Sequence, residues 1–305
     1  MSPTPGPSRK REGGTLPLTS LLIVLLAAVT HASWNLLAKR AAHAGTAFLF
    51  WSGFFACVLY APWAGWLIAV GGISWSWPMA TCIVASALIH LGYSLALQHG
   101  YRVADLSVVY PIARGTGPLL SSLAAFALFA ERPGFERLAG LAAVVGGILL
   151  IATDGRIGKL FRPEAHAGLI WGGTTGGLIA SYTLVDGFGV KRLGIEAVLL
   201  DWFANLLRLA MLTPAVARDW AGSKARMEGH WLRAFGVGVL SPLGYILVLR
   251  AMAAGAPLSV VAPMRELSMM LVALLGMVLL GEPVGRARLG GCGLMVVGVV
   301  LLAGS

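Results

Sequence analysis

The chain is short of charge. Of 305 residues only 12% are Asp, Glu, Lys or Arg, and 13 of these are acidic, whereas a soluble domain carries about 25%. A water-exposed globule cannot cover itself with so few charges, which excludes a soluble enzyme and an extended nucleic-acid binder. Cysteine is scarce as well. Cys57, Cys82 and Cys292 lie far apart inside apolar stretches, so the sequence holds neither a disulfide framework nor a Cys-x-x-Cys pair, and their role is small apolar packing. What fills the chain instead is 57% apolar residues, forty glycines and ten tryptophans, at a mean hydropathy of +0.80. The net charge of +10 falls in short Lys/Arg runs between apolar stretches, as in membrane loops. The class is an all-α polytopic membrane protein.

A helix crossing ~30 Å of hydrocarbon needs ~20 mainly apolar residues. Ten stretches meet that length, at 18–38, 46–70, 77–98, 105–130, 135–153, 166–186, 196–217, 232–252, 257–280 and 286–303. The first follows Arg9-Lys10-Arg11 but outruns the ~7–15-residue core of a signal peptide, so it reads as a retained span. Residues 1–17 read as a disordered basic tail. The connectors 154–165 and 218–231 are polar and charged.

The two halves repeat each other. Leu106-Ser107-Val108-Val109-Tyr110-Pro111 matches Leu258-Ser259-Val260-Val261-Ala262-Pro263 at an offset of 152, and Gly92-Tyr93 matches Gly244-Tyr245 at the same offset. Glu131, Gly140 and Gly147 match Glu282, Gly291 and Gly298 at 151. The units are 18–153 and 166–303, joined by the linker 154–165. A second copy of a five-helix unit enters the membrane from the opposite face, so the expected fold is ten transmembrane helices in two inverted repeats, an arrangement suited to alternating access around a midplane site.

His31-Ala32-Ser33-Trp34-Asn35, the segment Tyr110 to Pro118, and Gly281-Glu282-Pro283 resemble the ten-helix EamA-type members of the drug/metabolite transporter superfamily. The resemblance covers nearly all of 18–303. It implies the ten-helix fold and a transporter of small organic molecules in the cell (inner) membrane, exporters of amino acids, drugs and metabolites being among its members. Small four-helix exporters of the superfamily couple to protons through a first-helix glutamate, and here that span offers only His31.

Ionisable residues inside a span cost at least ~2.5–3.5 kcal/mol and so mark functional candidates. Arg114 follows Pro111, and Arg265 follows Pro263 beside Glu266; a proline frees a backbone carbonyl and suits a helix that lines a cavity. The repeat should bring both guanidinium groups to one chamber, where their planar forks suit a carboxylate or phosphate. Substrate contacts are therefore assigned to Arg114, Arg265, Tyr93, Tyr245, Asn35 and Trp34, with Trp51, Trp171 and Tyr182 as further aromatic walls. His31, Glu266 and His90 are the proton-coupling candidates. Pro111, Pro263 and an Asp201–Arg208 ion pair are given structural or gating roles, and Glu131 and Glu282 helix-terminus roles. Neither metal nor cofactor is called for, and the expected partners are a small solute, the lipid bilayer and a coupling proton, without nucleic acid.

These readings converge on a secondary active exporter of a small anionic or zwitterionic metabolite, such as an amino acid. The alternatives are an uptake permease for an organic anion or phosphonate and, remotely, an intramembrane enzyme. The last lacks a Gly-x-Ser-x-Gly elbow and a His-Glu-x-x-His helix, so catalysis is not expected.

Overall fold

The computed structural model describes residues 17–71, 75–131, 134–280 and 285–304, and every regular element among them is helical. The basic tail up to residue 16 and the Gly281-Glu282-Pro283 motif lie outside the described residues. In chain order the helices are α1 (Leu18–Lys39), α2 (Gly45–Gly71), α3 (Trp77–Val103), α4 (Leu106–Leu128), α5 (Phe135–Thr153), α6 (His166–Lys191), α7 (Ala197–Ala217), α8 (Trp220–Arg226), α9 (Trp231–Ala253), α10 (Leu258–Arg265), α11 (Leu267–Leu280) and α12 (Arg286–Gly304).

Seven of them, α1, α2, α3, α5, α7, α9 and α12, are long and apolar enough to cross a membrane, so the chain is multi-pass. The other three stretches predicted as spans are helical but differ in kind. Two prolines and Arg114 interrupt the apolar run of α4, and glycines and Asp186 dilute that of α6. The stretch 257–280 is broken at Glu266 into α10 and α11. Two further boundaries move: α3 continues to Val103 and α6 to Lys191. The connector 218–231 contains α8, capped by Asp219, whose carboxyl accepts from Gly222 N at 3.1 Å. Arg226, 2.9 Å away, holds that carboxyl below the usual carboxylate range. The linker 154–165 folds into two 3-10 turns, Ile157–Phe161 and Pro163–Ala165.

Glycine sets how closely the helices approach. On α5 and α12, Gly140 faces Gly298 and Gly147 faces Gly291, and a Cβ added at any of the four would stand 2.7–2.8 Å from the partner's carbonyl oxygen. Small residues permit such backbone contact in membranes, where packing rather than apolar burial drives association. Numbers rise along α5 as they fall along α12, so the two helices are antiparallel. The same crossing joins α1 to α9, where Thr30 meets Gly244 and Leu37 meets Gly236, and α3 to α6, where Gly92 meets Leu178 and Gly100 meets Trp171. Helices α4 and α6 run parallel, with Val108 against Gly168 and Thr116 against Gly176. Tyr60 Oη on α2 donates to the Val239 carbonyl of α9 at 2.7 Å, and Trp202 Nε1 on α7 to that of Cys57 on α2 at 2.9 Å. At one end Glu131 caps α10, accepting from Leu258 N at 2.8 Å, Ser259 N at 3.1 Å and the Ser259 hydroxyl.

Gly291→Leu should wedge α5 from α12 and destabilise the fold by about 1–3 kcal/mol, the usual cost of overpacking. Gly293→Leu, at an exposed position with open space around the Cα, should leave the melting temperature in detergent close to wild type. Equal melting of the two variants would contradict the packing described.

Candidate functional site

The polar side chains of the bundle face one cavity of about 860 Å³, within the ~300–1,000 Å³ range of small-molecule sites. Helix α1 supplies His31, Trp34 and Asn35, α3 His90 and Tyr93, α4 Pro111 and Arg114, and α6 Tyr182. Helix α7 adds Asp201, Asn205 and Arg208, α9 adds Tyr245 and α10 adds Arg265. All six residues predicted to contact substrate thus line it.

Its charged corner is shared. Glu266 is 1% exposed, with Oε2 2.8 Å from Arg114 Nη2 and Oε1 3.4 Å from Arg265 Nε. Arg114 also reaches the Ser268 hydroxyl at 3.3 Å, while its buried Nε has no hydrogen-bond partner. Three buried charges in one cluster keep a net positive charge, and the two guanidinium groups meet as predicted, but through a common carboxylate. The expectation that Arg265 is the repeat equivalent of Arg114 needs correction. Counting from Pro111 and Pro263, the equivalent position is Glu266, so the repeat sets an arginine opposite an acid. Glu266, sealed away from the cavity with each oxygen taken by an arginine, is less suited to exchanging protons than predicted. Pro111 lies in a helix that runs on unbroken, whereas Pro263 is buried three residues before the interruption at Glu266.

An aromatic wall adjoins this corner. The His90 ring stacks on Tyr182 at 4.0 Å and stands edge-on to Tyr245 at 5.5 Å; Tyr182 meets Tyr93 at 5.8 Å and Tyr245 at 6.0 Å. The Arg265 guanidinium lies 5.9 Å from the Tyr182 ring, a cation–π contact. Of the other predicted aromatic walls, Trp51 packs against Trp220 and Trp231, and Trp171 against His99; neither lines the cavity.

The histidines are fixed differently. His31 Nδ1 accepts from Trp34 Nε1 at 3.2 Å, which puts its own hydrogen on Nε2, a buried atom without a partner. His90 Nδ1 donates to the Ser86 carbonyl at 2.9 Å, leaving Nε2 an acceptor. Asn35 lines the cavity, but its amide nitrogen donates to the His31 carbonyl at 2.7 Å, which limits what it offers a solute.

Asp201 and Arg208 do not form the direct ion pair that their spacing suggested. Asn205 stands between them, its amide donating to Asp201 Oδ2 at 2.9 Å and its carbonyl oxygen accepting from Arg208. A buried acid was also missed. Asp186 is 0% exposed, with Oδ2 accepting from the Tyr245 hydroxyl and Oδ1 unpartnered. Ending the sixth span at residue 186 placed it at the membrane boundary, but the helix continues to Lys191. Among the described residues no group of three His, Cys, Asp or Glu could hold a metal ion.

Residues 167–304 match the EamA-like transporter family, the family that the sequence motifs resemble. No curated protein matches the chain. A solved structure described only as the crystal structure of a protein is 18% identical, with a TM-score of 0.74 over 93% of this chain and 96% of that one, a likeness of fold. The chain is therefore a multi-pass membrane protein whose second half is similar to a transporter family.

Glu266→Gln would leave Arg114 and Arg265 buried without their carboxylate, and breaking a buried pair costs about 3–5 kcal/mol. We expect a markedly lower melting temperature in detergent. Arg226→Gln, which removes the exposed partner of Asp219, should barely move it. A Glu266→Gln protein that melts like wild type would remove the structural weight given to this cluster.

Proposed function

We propose that this protein is a secondary active transporter of a small organic solute bearing a carboxylate or phosphonate, amino acids foremost, working by alternating access in the cell (inner) membrane. The observation that carries the reading is the Arg114–Glu266–Arg265 cluster on the wall of an aromatic-lined cavity of small-molecule size. Its surplus positive charge and the free Arg114 Nε favour an anionic group, while Tyr93, Tyr182 and Tyr245 offer flat faces to the remainder of the solute.

The packing supports ten crossings in two inverted repeats. In the repeat, α1 corresponds to α6, α3 to α9, and α5 to α12. Exchanging the halves turns the α1–α9 contact into α6–α3, and the Gly140–Gly298 contact into Gly291–Gly147. That is the reciprocity expected of a two-fold axis. Equivalent helices α5 and α12 run antiparallel, the relation that inverted units require. The resemblance to EamA-type exporters favours export. Uptake of an organic anion is a second reading, and the proton site inferred below favours it.

The test is transport of labelled L-leucine, L-glutamate and methylphosphonate into vesicles reconstituted with the purified protein. Hydrogen bonds to charged groups contribute ~1.5–3 kcal/mol, so Arg114→Ala and Arg265→Ala should each weaken half-saturation roughly 10- to 100-fold, with both variants monodisperse by gel filtration. Unchanged transport by both would reject the assignment, as would a wild type that moves no member of the panel.

A further inference from the structure

We infer that Asp186 is a proton-binding site of the transport cycle, joined to the solute cavity by the Tyr245 hydroxyl. The inference rests on the transporter reading above and adds the group that couples solute to protons, a role the sequence assigned to His31, Glu266 or His90.

Three observations meet at this carboxyl. It is fully buried midway between the aromatic wall and the end of α6, and it does not line the cavity itself. No cation stands within ion-pair distance of it among the described residues. One oxygen has no partner and the other is held by Tyr245, whose ring faces the cavity. An ionised carboxylate so placed lacks the pairing that buried charge requires, and the group answers by taking up a proton. Glu266 is unlike it, with an arginine at each oxygen.

The neighbours on every packed element are consistent with this. From α3 come the Cys82 thiol, bonded to the Val185 carbonyl at 3.4 Å, the Ser86 hydroxyl, a hydrogen-bonding neighbour of the carboxyl, and His90, whose Nδ1 is occupied by the Ser86 carbonyl. From α9 comes Tyr245. The cation of α7, Arg208, is engaged by Asn205, with Asp201 beyond it; those of α4 and α10, Arg114 and Arg265, are engaged by Glu266. On α6 itself Lys191 donates to the Ala256 carbonyl at 2.6 Å.

The proton and the solute are linked through one hydroxyl. With Asp186 ionised, Tyr245 O–H donates to Oδ2. When Asp186 takes a proton from cavity water, Oδ2–H donates to the Tyr245 oxygen, and the tyrosine's own hydrogen turns to the cavity, where it can donate to a carboxylate. Charge works in the same direction. Protonating Asp186 removes one negative charge from beside a cavity lined by Arg114, Arg208 and Arg265, which favours entry of one anionic group. Proton and anion therefore bind together and travel the same way.

Infrared spectroscopy of the purified full-length protein, without any solute, tests the site. Wild type should show a protonated-carboxyl absorption that disappears as pH is raised. Asp186→Asn should lack it and Asp201→Asn should retain it. Isotope-labelled aspartate should shift the band in wild type, which needs no variant to fold. A band that survives Asp186→Asn, or that labelled aspartate does not shift, overturns the inference. In vesicles, the labelled solutes that wild type moves should accumulate when the lumen is made alkaline. Asp186→Asn should lose that gradient-driven accumulation relative to its own exchange, and Tyr245→Phe should weaken it. Accumulation driven instead by an acidic lumen, or undiminished in Asp186→Asn, also overturns it. If wild type moves no member of the panel, the transporter reading fails, and the infrared result alone decides whether Asp186 binds a proton.

Discussion

One carboxylate holds the two halves of this protein to a common centre. Arg114 belongs to the first half, Arg265 and Glu266 to the second, and all three are almost wholly removed from solvent. A guanidinium buried alone would be untenable in such surroundings, while two that share one acid form a cluster whose charge is mostly but not fully cancelled. The remainder is what gives the cavity a sign. It also explains why α10 and α11 are separate helices: the chain turns at Glu266 so that this side chain can reach back across to α4.

The scaffold around that cluster is built from backbone proximity. Where α5 meets α12, the contact is glycine against carbonyl oxygen at both ends, so the helices touch through main chain with little side chain to rearrange. The polar site draws on two kinds of element. Helices α1, α3, α7 and α9 are long and apolar enough to cross by composition and still turn polar side chains to the cavity, whereas α4 and α6, with their prolines, glycines and buried charge, fall outside that set.

Much of this was legible in the sequence because the repeat encodes it. Proline before arginine, paired Gly-Tyr at 92–93 and 244–245, and glycines at matched offsets pointed to the helices and to Arg114, Arg265, Tyr93 and Tyr245 of the cavity lining. The equivalence of Arg114 with Glu266 was also legible, since it follows from the offset of the flanking prolines. That both arginines share one acid was not, because it depends on how α4 crosses α10 some 150 residues away along the chain. Asn205 could have been anticipated: it stands four residues after Asp201 and three before Arg208, on the same helical face. Asp186 was hidden by an element boundary set five residues short, which turned a buried acid into an apparent loop residue.

The cap that Glu131 places on α10 has its own consequence. It accepts from two backbone amides and a hydroxyl of the opposite half, so drawing α10 away from this corner strips a carboxylate and the first turn of a helix of their mutual partners at once. Only solvent can replace them. Hydration of that end of the bundle must accompany any parting of the halves there, and the ease with which water enters sets how readily the seam unfastens.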